Sequence, residues 1–197
     1  MRETIPRDAF CALIQVKSTT LAQRQHTGEQ AFAFGLTKPA HINEYHHLDA
    51  YFAILASAIN RVGGIDLKPS ADIVRMRWDD CLTLLIRTES FPHIEQYVCV
   101  AHTSLDRSTP PHIAMGTADE VGKACPPSET PLCMIPMGLL LRRLRENARR
   151  AGIDLPPRLT VDPNDEPAYS KWRAEIDALR EAAGLRVAKM AKPLTPA

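Results

Sequence analysis

The chain has 197 residues and a formal net charge of +1, with 45 % hydrophobic and 24 % charged residues. This composition is typical of a globular domain and excludes a wholly disordered chain, a collagen-like repeat and a coiled-coil rod. The 24 basic side chains are balanced by 23 acidic ones, whereas a dedicated nucleic-acid binder usually carries a larger basic excess. Arginine outnumbers lysine by 17 to 7, which we interpret as the codon usage of a bacterium, its phage or its plasmid.

Neither export nor membrane insertion is indicated by the sequence. The first residues, Met1-Arg-Glu-Thr-Ile-Pro-Arg-Asp, include acids and no long apolar run, unlike a secretory signal. No apolar stretch approaches the roughly 18 residues that a membrane span needs. The five cysteines are an odd number and fit reduced thiols better than a disulfide framework. We therefore expect a cytoplasmic protein.

In the first third of the chain, the hydrophobic pattern predicts one strand and one long helix. Residues 9–17 fit either a strand or a helix, and periodicity does not decide between them. Residues 30–37 alternate between apolar and polar side chains, which predicts a strand. Residues 43–62 carry apolar side chains at helical spacing and are followed by Gly63-Gly64, which predicts a helix with a glycine stop.

The next segments alternate with a period of two and predict a β-hairpin formed by residues 72–78 and 82–88. The register that places apolar side chains on one face pairs Trp78 with Leu82, Met76 with Leu84 and Val74 with Ile86. Burial of a whole face usually decides register, so we favour this pairing. It leaves three arginines on the outer face: Arg75, Arg77 and Arg87.

The second half of the chain predicts two strands and two helices. The strands are residues 95–102 and 112–115, and the Pro-rich segment 125–136 after them is neither a regular helix nor a central strand. A helix is predicted at residues 137–151, ending at Gly152. The clearest helix, at residues 166–183, has Asp165 as its cap and an apolar stripe that includes Tyr169 and Trp172.

These elements predict an α+β fold: a mostly antiparallel sheet of four or five strands packed with about three main helices. We divide the chain into a core domain at residues 1–155, a Pro-rich linker at 156–164, a C-terminal amphipathic helix at 165–184 and a flexible tail at 185–197. The sequence has no strand, Gly-rich turn and helix unit, which excludes typical P-loop ATPases and Rossmann dehydrogenases.

A first candidate metal site lies between His41 and Asp49. The three metal-capable side chains that we single out there are Glu44, His46 and His47. Glu44 and His47 have the i, i+3 spacing of carboxylate-bridged di-iron bundles, but the chain has no second Glu-x-x-His. The alternative is the polar N-terminus of an ordinary helix.

A second candidate is a zinc site made of four soft ligands: Cys99, His102, Cys125 and Cys133. The alternatives are buried free thiols with a loop histidine, and a bridge between Cys125 and Cys133. Zinc and iron are therefore the only candidate cofactors, and no cofactor is the default expectation. Four residues are of the types found in hydrolase active sites: His102, Ser104, Asp106 and His112. The sequence lacks the Gly-x-Ser-x-Gly elbow motif of such enzymes.

A third constellation is basic and lies on the predicted helix at residues 137–151. It contains five arginines within nine residues: Arg142, Arg143, Arg145, Arg149 and Arg150. With the hairpin arginines, these side chains could hold an acidic protein or phosphates, or they form a solvated face. Tyr169 and Trp172 are residue types that anchor interfaces, although packing on the chain's own domain is the commoner outcome.

We therefore expect a non-enzymatic accessory, regulatory or inhibitor protein that docks on another macromolecule, most often a protein. The Arg-rich helix and the C-terminal amphipathic helix would form the docking surface. One alternative is a nucleic-acid-binding regulator that uses the same arginines. Another is a metal-dependent hydrolase or oxidoreductase that uses the His41–Asp49 cluster. The sequence does not predict the oligomeric state.

Overall fold

A computed structural model describes residues 4–33, 44–102, 111–125, 132–162 and 164–182. The elements in chain order are β1 (Thr4–Pro6), α1 (Arg7–Ile14), α2 (Ser18–Thr27), β2 (Glu44–His46), α3 (His47–Gly63), α4 (Leu67–Met76), α5 (Trp78–Ser90), β3 (Tyr97–Ala101), β4 (His112–Gly116), α6 (Ala118–Ala124), β5 (Leu132–Pro136), α7 (Met137–Ala151) and α8 (Glu166–Ala182). Every strand pairing is antiparallel among these elements. The predicted α+β class is therefore confirmed.

The sheet is smaller than predicted, and the helices are more numerous. In the described part of the chain, β1 and β2 form one two-stranded sheet, and β4, β3 and β5 form a second sheet with β3 in the centre. The same part contains eight helices. The prediction of one sheet of four or five strands with about three main helices is therefore wrong in its details.

The predicted hairpin accounts for much of this difference, since residues 72–78 and 82–88 lie in α4 and α5, which meet at Arg77. The buried side chains of α5 include a set at helical spacing: Trp78, Cys81, Leu82 and Leu85. The same apolar run also contains an alternating set, so its periodicity fits both structures. Asp79 and Asp80 in the first turn favour the helix, because carboxylates interact well with a helix N-terminus.

Two other predictions concern the N-terminal region. Residues 9–17, which fitted both structures, belong mainly to α1, and the helix ends at Gln15 in a left-handed conformation. Residues 30–33 are not part of a strand, so the strand predicted at 30–37 is wrong for those four residues. Its remainder lies outside the described residues.

The elements with clear stop signals or uninterrupted apolar runs are confirmed. The predicted helices at 137–151 and 166–183 correspond to α7 and α8, and the strands at 95–102 and 112–115 correspond to β3 and β4. The helix predicted at 43–62 corresponds to α3 from His47 onward, but it is wrong for residues 44–46, which form strand β2. Strand β5 was missed because it lies at the end of the Pro-rich segment. It is an edge strand that pairs with β3 on one side, and it ends at Pro136. The missing N–H of a proline is tolerated in an edge strand. No helix of the described ranges is long and apolar enough to cross a membrane.

The three-stranded sheet separates a large core from a small one. Because side chains alternate across a strand, Val98 and Val100 face the large core formed with the helices, whereas Cys99 faces the other side. On that other side, α6 covers the sheet with Val121 and Cys125. The helix begins with a capping box in which Thr117 and Glu120 satisfy each other's main-chain N–H groups.

Gly63 marks a close contact between α3 and β3, and its replacement tests the packing there. A Cβ at this position would lie 2.9 Å from Cγ2 of Val100, a fully buried, β-branched side chain. We expect Gly63→Ala to lower the free energy of unfolding by about 1–3 kcal/mol, measured by urea denaturation. Gly122→Ala in α6 is the matched control, because no atom beyond its chain neighbours and its own helix backbone lies within 4 Å of its Cβ position. It should raise stability by up to about 1 kcal/mol through helix propensity. Equal effects of the two substitutions would contradict this packing.

Candidate functional site

The outer face of α7 carries four exposed arginines. The opposite face of the helix is buried in the core and includes Leu140, Leu141, Leu144 and Ala148. A helix turns by about 100° per residue, which places the four arginines on the solvent side. We call this set the α7 arginine face: Arg142, Arg143, Arg149 and Arg150. Leu139, which is 52 % exposed, lies one turn before the first pair of arginines.

Only a small part of this positive charge is neutralised locally. Arg150 forms an ion pair with Glu146 at 2.5 Å. Arg143 donates a hydrogen bond to the neutral amide oxygen of Gln15 at 3.3 Å. Among the ion pairs of the described residues, none involves Arg142, Arg143 or Arg149. The face therefore presents net positive charge to solvent.

Arg145, the fifth arginine of the helix, points in a different direction and has a structural role. Its guanidinium pairs with Glu89 of α5, whose side chain is only 4 % exposed. It also donates to the carbonyl of Pro156 at 3.4 Å, in the segment that follows α7. The structure therefore uses Arg145 to join α7, α5 and that segment, and separates it from the other four predicted binding arginines.

The three arginines predicted on the face of a hairpin instead join neighbouring elements. Arg75, which is 12 % exposed, donates to two main-chain carbonyls of the segment after α2, at 2.9 and 3.1 Å. Arg77 donates to the carbonyl of Ile113 on β4. Arg87 pairs with Glu120 of α6 at 3.2 Å. These contacts lie within the fold and give each of the three side chains an intramolecular partner.

The C-terminal helix α8 packs on its own domain. Tyr169 and Trp172 are partly buried against the large core. Arg173 forms two hydrogen bonds with the carboxylate of Asp79, at 2.8 and 3.2 Å, and its guanidinium lies 5.1 Å from the centre of the Trp78 ring. The two aromatic side chains that we proposed as partner anchors thus already have intramolecular contacts.

The predicted metal cluster near residue 44 is divided between a strand and the start of a helix. Glu44 is exposed on β2, where it pairs with Pro6 of β1. His46 caps α3, and its Nδ1 accepts a hydrogen bond from the main-chain N–H of Leu48 at 3.3 Å. The ring of His47 is buried, and its Nε2 lies 3.0 Å from the carbonyl oxygen of Leu159. His41 lies outside the described residues.

Asp49 completes the cap and is almost fully buried, with 3 % of its surface exposed. Its carboxylate accepts hydrogen bonds from the main-chain N–H groups of Ala33 and His46, both at 2.8 Å. Burial raises the pKa of Asp49 to about 7, against the effect of the two N–H donors. Burial and the neighbouring His47 lower the pKa of His46 to about 3. This arrangement stabilises the start of α3 through a capping box.

The four proposed zinc ligands do not converge. Cys99 and Cys125 lie in the small core, and their sulfur atoms are 3.9 Å apart. Cys133 stands opposite Val100 in the register of β3 and β5, and it packs on the large core at the other face of the sheet. His102 Nε2 lies 2.6 Å from the carbonyl oxygen of Gly63, in the direction of α3.

Within the part of the chain that the structure describes, no group of three or more His, Cys, Asp or Glu side chains could hold a metal ion. This applies to the His46 region and to the four zinc candidates alike. Of the four residues of hydrolase active-site types, Ser104 and Asp106 lie outside the described residues. His112 is exposed on β4, at the edge of the sheet.

Neither a protein-family model nor a curated protein matches the chain. The function must therefore be inferred from the geometry of the molecule itself.

Sequence reasoning missed the contact centre around Glu89. This carboxylate accepts the main-chain N–H of Leu159 at 2.7 Å as well as the guanidinium of Arg145. Burial raises the pKa of Glu89, and its hydrogen bonds and the charge of Arg145 oppose this increase. No local motif predicts the contact, because its partners are 56 and 70 residues away in sequence.

Proposed function

We propose that the protein is a non-enzymatic accessory, regulatory or inhibitor protein that binds an acidic protein surface through the α7 arginine face. The observation that carries this proposal is the contrast among the arginines. Arg75, Arg77, Arg87 and Arg145 make contacts inside the fold. The four arginines on the outer face of α7 are exposed together, with Glu146 as their nearby acidic partner.

The composition of this face favours a protein partner. Arginine forms bidentate hydrogen bonds with carboxylates, and its guanidinium is more weakly hydrated than the ammonium of lysine. Leu139 adds an exposed apolar side chain next to Arg142 and Arg143. Interfaces commonly combine arginine with an apolar contact of this kind.

Two features argue against nucleic acid as the main partner. The net charge of +1 provides little long-range attraction for a polyanion. No aromatic residue interrupts the arginines of α7, so the helix offers no platform for base stacking.

The test places a photo-crosslinking amino acid at the exposed position 139 of the full chain in cells. We expect a discrete, protease-sensitive adduct with another protein. Arg142→Glu, Arg143→Glu and Arg149→Glu together should weaken binding of the captured partner by about a hundredfold, since each reversed charge contributes roughly 1 kcal/mol. Affinity is then measured with the purified partner at two salt concentrations.

The matched control reverses three exposed lysines elsewhere: Lys68, Lys123 and Lys171. This variant changes the net charge by the same amount and should bind the partner like the original chain. A nuclease-sensitive adduct would instead support the nucleic-acid alternative. No adduct at position 139, or equal loss of binding in both variants, would refute the assignment of the α7 arginine face.

A further inference from the structure

Two cysteines from different elements meet behind the three-stranded sheet. Cys99 lies on the central strand β3, and Cys125 follows α6 directly. Their sulfur atoms are 3.9 Å apart, and both residues are buried, with exposures of 0 % and 8 %. This distance is a van der Waals contact between thiols, and a disulfide requires the two sulfur atoms to approach to about 2.05 Å.

The surroundings of the pair are apolar and small. Ala101, Ala114 and Val121 complete the buried cluster, with Tyr97 and Met134 packed against it. Burial and the neighbouring Cys125 raise the pKa of Cys99 to about 12, which keeps this sulfur in the neutral thiol form. The reduced pair is therefore stable until an oxidant reaches Cys125, the less deeply buried residue of the two.

The other cysteines are placed differently. Cys11 and Cys81 lie in the large core, on α1 and α5. Cys133 lies on β5 and faces that same large core, on the opposite side of the sheet from Cys99. Among the five thiols, the pair formed by Cys99 and Cys125 is the one that the structure places in direct sulfur contact.

We propose that Cys99 and Cys125 form a redox modification site that hydrogen peroxide converts into a reversible intramolecular disulfide. Cys125 Sγ attacks one peroxide oxygen, the O–O bond breaks, and sulfenic acid and one water are formed. Cys99 Sγ then attacks Cys125 Sγ, the S–O bond breaks, and the hydroxyl group leaves with the proton of Cys99 as a second water. The two thiols lose two electrons, and one peroxide is reduced to two waters.

The bond would anchor α6 to the centre of the sheet. This seven-residue helix covers the small core, and its described connections include the Thr117 cap and the ion pair between Arg87 and Glu120. The chain between the two cysteines contains β4 and α6, so the disulfide would close a long loop and restrict the unfolded state. The site lies on α6 and β3 and is independent of the α7 arginine face.

The experiment treats the full-length chain with hydrogen peroxide, blocks remaining thiols and maps the peptides by mass spectrometry. We expect one species lacking two hydrogen atoms, with the peptides of Cys99 and Cys125 linked and the link reversed by dithiothreitol. The oxidised chain should unfold at a temperature roughly 5 °C higher. Peptide mapping of the unsubstituted chain gives this answer even where a cysteine variant folds poorly.

Matched serine variants separate the alternatives. Cys133→Ser and Cys81→Ser should form the same disulfide at the same rate. Cys125→Ser should form no intramolecular disulfide, so its mass should not decrease by two hydrogen atoms. A link between Cys125 and Cys133, a link only between two chains, or oxidation of Cys125 to sulfinic acid without a bond would each overturn the proposal.

Discussion

Replacement of Glu89 by alanine is expected to lower the free energy of unfolding by about 3 kcal/mol. The side chain is 4 % exposed and joins three parts of the fold. It accepts the main-chain N–H of Leu159 at 2.7 Å and the guanidinium of Arg145. Removal of the carboxylate leaves the main-chain N–H of Leu159 without its acceptor. Leu159 is itself only 1 % exposed. Breaking a buried ion pair typically costs about 3–5 kcal/mol. We expect a loss of stability at the lower end of this range, because Arg145 is 36 % exposed and can reach water.

The matched control is Glu146→Ala, which also removes a glutamate paired with an arginine. Glu146 and Arg150 are 45 % and 67 % exposed, so this substitution should cost about 0.5 kcal/mol or less. Both variants are compared by urea denaturation, and hydrogen exchange reports on the Leu159 amide. Faster exchange of that amide in Glu89→Ala alone would show release of the segment after α7. Equal stability of the two variants would contradict the assigned role of Glu89.

This contact gives the Pro-rich segment between α7 and α8 a defined place in the structure. Leu159 inserts its side chain into the large core, donates its N–H to Glu89 and has its carbonyl 3.0 Å from Nε2 of His47. His47, which the sequence suggested as a metal ligand, therefore contacts a main-chain carbonyl. The helix that follows is then held by Arg173 and Asp79.

The parts of the fold that local chemistry determines were predicted from the sequence. The predicted glycine stop of α3 corresponds to Gly64, and α7 ends at the predicted Gly152, both in a left-handed conformation. Such signals act over a few residues and are therefore readable. Strand β3 was recognised because its apolar residues form a short run between polar segments.

The segment formed by α4 and α5 was misread because its apolar residues fit both periodicities. Leu82, Leu84 and Ile86 alternate as in a strand, although Trp78, Cys81, Leu82 and Leu85 also lie on one helical face. The spacing of the apolar residues therefore does not decide between the two structures, and the packing against neighbouring elements does. The arginines show the same limit of sequence-based prediction. Arg145 and Arg149 lie one turn apart in the same Arg-rich helix, and the sequence does not distinguish their roles. One pairs with Glu89, while the other is exposed.

The start of α3 should give two opposing contributions to the pH dependence of stability. Burial raises the pKa of Asp49 from 3.8 to about 7, so the folded chain holds a proton there that the unfolded chain has released. Stability from this group is therefore lost as pH rises through about 7. Burial lowers the pKa of His46 from 6.5 to about 3, so between these pH values the unfolded chain binds a proton that the folded chain does not. Stability from this group is therefore lost as pH falls through about 3.

Asp49→Asn isolates the first contribution. An asparagine keeps one acceptor oxygen, but its NH₂ group cannot accept the second of the two main-chain hydrogen bonds at 2.8 Å, so the variant should be less stable than the original chain at low pH. The original chain loses the contribution of Asp49 as pH rises, and the variant has no such group to lose. The free energy of unfolding of the variant minus that of the original chain should therefore increase by about 4 kcal/mol between pH values below 3.8 and above 7. The measurement is urea denaturation of both proteins across this range, with parallel profiles as the contradicting outcome.

His46→Asn is the complementary variant, because asparagine preserves a side-chain acceptor for the N–H of Leu48 and is a favourable N-cap residue. With the histidine removed, the contribution of Asp49 is no longer opposed, and stability should fall as pH rises from about 4 to about 7. The two variants should therefore differ from the original chain with slopes of opposite sign. A carboxyl resonance of Asp49 that titrates near pH 7 in the folded chain would identify the group responsible, whereas titration near 3.8 would exclude it.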